Sequence, residues 1–107
     1  MTTDRLVETL RCTYRRDFEV SIRYALFSYL YEMGVSINII SKATGYNRGT
    51  VYHGIYSHRD KLRFNDILSK NAEEVIREHQ INVKPATVNG IIPKIVGYKL
   101  IVDNIVI

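Results

Sequence analysis

At 107 residues, 46% of them hydrophobic, the chain is the size of one domain and long enough to bury a core without disulfide or metal staples. Its single cysteine, Cys12, excludes an internal disulfide and reads as a small apolar filler, and no apolar run approaches the length of a membrane span. Asp4, Arg5 and Glu8 interrupt the start where a signal peptide needs an apolar core, so a cytoplasmic location is expected, and the formal net charge of +4 directs attention to anionic partners.

Residues 4–14 set Leu6, Val7, Leu10 and Tyr14 at helical spacing and predict a short first helix, with Arg11, Arg15 and Arg16 between it and the next. From Phe18 onward, Ile22, Ala25, Leu26, Tyr29, Leu30 and Met33 keep a 3.6-residue stripe that Gly34 closes. At that spacing Tyr24, Phe27, Tyr29 and Tyr31 read as core and flank rather than as a base-stacking platform. Ser36 can cap a third helix running to Thr44, and a fourth follows from Arg48, reaching as far as Leu62. A fifth starts near Asn65 or Asp66, with Ile67, Leu68, Ala72, Val75 and Ile76 as its buried stripe and Glu73 and Arg77 paired one turn apart outside.

After residue 80 the composition changes. Ile81 to Ile107 is rich in Ile and Val, holds both prolines, and carries only Lys84, Lys94, Lys99 and Asp103 as charges, which predicts β or extended structure. Asn89-Gly90 is a candidate hairpin turn and Asp103-Asn104 a weaker one. So apolar a segment needs cover, either by folding back onto the helices or by pairing with the same segment of a second subunit. The expected fold is therefore mainly α: a helix-turn-helix bundle of about four to five helices over 1–80, and a short C-terminal β or extended appendage over 81–107.

The segment 40–55 carries the most information. Ile40, Ala43 and Thr44 give one helix an inner face, and Val51 and Ile55 repeat that spacing on the next. Ser41 is small enough for a close crossing, Gly45 can take the left-handed conformation that ends a helix, and Asn47 can cap the helix that follows. This leaves Arg48, Gly49, Tyr52, His53 and Tyr56 facing outward: a guanidinium able to fork onto a guanine edge, an imidazole, two phenols and a glycine that permits close backbone approach. Charge supports the motif, because in residues 34–63 the cations Lys42, Arg48, Arg59, Lys61 and Arg63 face only Asp60. Residues 64–80 lean acidic and are not expected to touch DNA.

On these residues the helical part resembles the C-terminal DNA-binding domain of the bacterial chromosomal replication initiator DnaA, a Trp-repressor-like helix-turn-helix. The resemblance runs from about Arg15 to Ile76. It includes the basic pair Arg15-Arg16, a long helix from Arg23 to Glu32-Met33, and Thr50, Val51 and His53 of the recognition signature; Asn47, Arg48 and Gly49 depart from that signature at base-reading positions. A second resemblance, to the DNA-reading end of TetR-type repressors, rests on Asn47 through His53, Ser57 and Lys61-Leu62. Both imply DNA on the same helix. The initiator resemblance implies further that Arg15 and Arg16 reach phosphate or the neighbouring minor groove.

The function expected is sequence-specific binding of double-stranded DNA, as a small bacterial transcription regulator or replication-associated protein. Arg48, Thr50 and His53 would read bases or near-base phosphates, with Tyr52 and Tyr56 against the sugar-phosphate wall and Lys42 on backbone phosphate. A single module of this size needs a dimer, a second domain or adjacent sites, and residues 81–107 are the candidate dimer contact. The alternative is a protein-interaction module that keeps the helix-turn-helix geometry without DNA. No enzyme, cofactor, metal, membrane or small-molecule role is expected: His53, His58 and His79 lack zinc spacing and read as surface or capping residues, Glu73-Glu74 point to different sides of a helix, and there is no phosphate-binding glycine loop.

Overall fold

A computed structural model describes residues 1–12, 16–92 and 94–107. Five helices and three strands follow one another: α1 (Thr3–Arg11), α2 (Asp17–Glu32), α3 (Ile37–Thr44), α4 (Arg48–Arg63), α5 (Ile67–Arg77), β1 (Ile81–Val88), β2 (Lys94–Val102) and β3 (Ile105–Val106). The protein is mainly α, a five-helix bundle with a short three-stranded C-terminal sheet, and none of its helices is long and apolar enough to cross a membrane.

Local chemistry sets the helix ends. Thr2, Ser36, Asn47 and Asp66 each accept a hydrogen bond from a backbone N–H of the first turn they precede, satisfying a donor the helix cannot. Gly34 ends α2 with φ +92°, and Val35 N–H donates back to Leu30 C=O at 3.1 Å. Asn65 (φ +58°) does the same for α4, with Asp66 N–H donating to Lys61 C=O at 3.0 Å.

The long helix α2 is the axis of the bundle and packs against all four other helices. Ile22, Ala25, Leu26, Phe27 and Leu30 are buried along it, joined by Leu6 and Val7 of α1, Ile40 of α3, Val51 and Ile55 of α4, and Ala72 and Ile76 of α5. Each such side chain stabilises the fold by roughly 1.5–3 kcal/mol relative to exposure. Met33 leaves the predicted stripe and is half exposed, because Gly34 has already turned the chain.

Helix α5 differs more from its sequence pattern. Ile67 is 73% exposed and Leu68 39% exposed, while Ser69, Ala72 and Ile76 form the buried row. Small residues let α5 approach α2 and α4 closely, and that rotates the two first-turn aliphatics outward.

The C-terminal segment folds back onto the helices at its base. Strands β1 and β2 form an antiparallel hairpin, and Ile81, Leu100 and Val102 enter the same core as the helices. Cα pairing runs from Ile81↔Val102 to Val88↔Lys94, with a bulge between Ala86 and Thr87. The connection at the tip takes residues 89–93, so Asn89-Gly90 does not make a two-residue turn. Asp103-Asn104 does: φ values of +47° and +70° fit the type I′ turn that joins β2 to β3.

Candidate nucleic-acid interface

Gly45 terminates α3 with φ +80°, a conformation costly for a residue with a Cβ. The Ser41 hydroxyl donates to Tyr46 C=O at 2.5 Å, so Ser41 braces the turn from within rather than only leaving room for a crossing. Asn47 Oδ1 accepts from Thr50 N–H at 2.7 Å and starts α4. Its oxygen is thereby committed to the cap, which makes Asn47 a positioning residue.

Tyr46 locks this turn to the bundle. Its ring meets Phe27 edge-on at 5.8 Å, and the Arg23 guanidinium lies over its other side, 4.8 Å from the centroid. Arg23 is itself buried and donates to Cys12 C=O at 3.3 Å. One turn further along α4, Gly54 is buried directly against Tyr24 and Phe27. Neither Arg23 nor Gly54 was singled out by pattern; the available signal was a glycine inside a helix, which propensity disfavours unless something passes close by.

The inner side of α4 is sealed by Val51, Gly54, Ile55 and His58, all buried. Its outer side presents Arg48, Gly49, Tyr52, His53 and Tyr56, all exposed, with Thr50 half-buried beside them. Tyr52 and Tyr56 pack ring to ring at 4.5 Å, and the hydrogen bond from Tyr56 holds the Tyr52 phenol above the ordinary tyrosine range. His53 stands edge-on to Tyr24 at 5.8 Å, and the Arg59 guanidinium lies 5.2 Å from the Tyr31 ring centroid. Tyr31 and Arg59 therefore extend this aromatic and cationic face beyond the residues named from sequence.

Lys42 is exposed on the last turn of α3 and shares a cleft with Ile95, Val96, Gly97 and Tyr98 of β2. Among the described residues neither Lys42 nor Arg48 meets an acid. No Asp or Glu occurs between residues 33 and 59, so α3, the turn and the first three turns of α4 form an acid-free surface. The nearest acid along α4 is Asp60, 3.9 Å from Arg63. Arg16 is exposed at the N-cap of α2, and Arg15 lies outside the described residues.

Two histidines read as surface or capping residues are packed inside. His58 is fully buried and bonds through Nε2 to Glu73, which in turn takes Arg77 Nε at 2.8 Å, while Arg77 also reaches Glu32 at 3.0 Å. This chain of charges joins α4, α5 and α2, and the two carboxylates hold the Arg77 guanidinium above its ordinary value. His79 bonds through Nδ1 to Asp103 at 2.5 Å and through Nε2 to Met1 C=O at 3.0 Å. Among the described residues no group of three or more His, Cys, Asp or Glu could hold a metal ion.

No protein-family model, curated protein or solved structure matches the chain.

Proposed function

We propose that this chain binds double-stranded DNA by placing the N-terminal half of α4 in the major groove, with α3 across the backbone. The observation that carries the reading is the division of α4 into a sealed apolar side and an open, acid-free side bearing Arg48, Tyr52, His53 and Tyr56. A rod so fixed can present a guanidinium, an imidazole and free first-turn N–H groups to a duplex with little loss of freedom on binding. Arg48 and His53 would reach base edges or nearby phosphates, Thr50, Tyr52 and Tyr56 the groove wall, and Lys42 and Arg16 the backbone. Gly49 would allow close approach, and Asn47 would hold the geometry without reading a base.

Such a module would serve a transcription regulator or a replication-associated protein, as both resemblances of the motif imply. The deciding experiment is selection of bound duplexes from a random pool, followed by titration of the winners across salt concentrations. Enrichment of a short motif with a negative salt slope supports the reading. An unenriched pool with no salt-sensitive complex would falsify it and favour the protein-interaction alternative.

A further inference from the structure

We propose that the outer half of the β1–β2 hairpin is a dimerisation arm that takes a second copy of this chain, tip against tip. At its base Ile81, Leu100 and Val102 are buried in the core, and exposure rises along the hairpin until the tip stands clear of the helices. Val88, Ile91, Ile92, Ile95 and Val96 are all more than half exposed there, Ile91 completely. Aliphatic side chains concentrated in this way, with no aromatic among them and no acid anywhere between residues 79 and 102, mark a contact surface rather than ordinary scattered apolar residues.

The area suits a second copy. The five side chains together expose the equivalent of about three and a half whole aliphatic residues, so two tips would hide on the order of 1,200 Å², the lower end for a stable interface. An uncharged surface can meet its own twofold image without placing like charges together. The base of the hairpin cannot do so: Lys84 and Lys99 sit directly opposite each other on its solvent face, and Pro85 has no N–H to offer an added strand. Contact is therefore confined to residues 88–96, away from α4, which leaves both recognition surfaces free.

Light scattering and sedimentation of the whole chain test this without reference to DNA. The expected result is twice 12.4 kDa for the wild type at high micromolar concentration, and the single-chain mass for the double variant Ile91→Ser/Ile92→Ser with unchanged circular dichroism. A wild type that stays at the single-chain mass, a variant that still pairs, or an assembly larger than two copies would each overturn the proposal. Should the variant lose its helical signal, hydrogen exchange on the wild type keeps the test: residues 88–96 must slow as concentration rises, and a concentration-independent rate sinks the arm.

Discussion

Gly54 on α4 lies against two rings of α2, so that a Cβ added to it would stand 2.8 Å from Phe27 Cδ2 and 2.8 Å from Tyr24 Cδ1. Phe27 is fully buried and has no space to retreat into. Gly54→Ala should therefore destabilise the protein by about 1 kcal/mol net, overpacking of roughly 1–3 kcal/mol outweighing a propensity gain of about 1 kcal/mol. Urea denaturation measures this, and an alanine variant more stable than wild type would mean the crossing relaxes freely.

Arg48 and Lys42 should separate by the kind of loss they cause. Arg48→Ala should cost on the order of 1–3 kcal/mol on the selected site and relax preference at one base position. Lys42→Ala should weaken all duplexes alike and lower the salt slope by about 1. Anisotropy titrations on matched and scrambled duplexes distinguish the two, and an Arg48→Ala protein with unchanged affinity removes Arg48 from the interface.

Asn47 should matter for stability before it matters for DNA. Asn47→Ala removes the bond to Thr50 N–H and should cost about 1 kcal/mol, whereas Asn47→Ser should retain most of the cap. Thermal melts of the two variants check this ordering.

Asp103 predicts an acid-sensitive step. The bond from His79, with those from the Thr3 hydroxyl at 2.7 Å and Gln80 N–H at 2.8 Å, holds its carboxyl down at about 2, against an ordinary value of 3.8. Because the folded state favours the ionised form, the stabilisation is complete above 3.8 and is lost as pH falls toward about 2. Melting temperature followed through that window should fall for the wild type, and Asp103→Asn, which tolerates the left-handed turn, should lack that component.

Glu73 is the pairing group for a buried histidine. His58 Nδ1 has no partner among the described residues, so Glu73→Ala would strip the imbedded ring of its remaining hydrogen bond. A loss of roughly 1–3 kcal/mol is expected, and the double variant His58→Leu/Glu73→Leu should recover much of it. A double-mutant cycle by denaturation gives the coupling, and additive losses would show that the pair does not act as a unit.

The helices, their caps and the turn at Gly45 were readable because each depends on residues within four positions of one another. What pattern could not supply was the identity of distant neighbours. Ile67 and Leu68 match the period of α5 as well as Ser69 does, and only the close approach to α2 and α4 decides which row is covered. His58 meets Glu73 fifteen residues away, and His79 meets Asp103 twenty-four residues away, separations at which no periodicity operates. Alternation identified strands after residue 80, but not that their first and last turns of chain would complete the helical core while the middle stood exposed. At the candidate interface the outward residues of α4 followed from spacing. The stack of Arg23 on Tyr46 that anchors them required the tertiary arrangement.

The projecting hairpin also governs how this molecule moves. Its extents of 52 × 28 × 23 Å and radius of gyration of 14.1 Å exceed the roughly 13 Å expected of a round domain this long. Drag rises with elongation, so the chain should diffuse and elute like something heavier than itself. Elution volume alone would then mimic self-association, and only a shape-independent mass can tell one long particle from two.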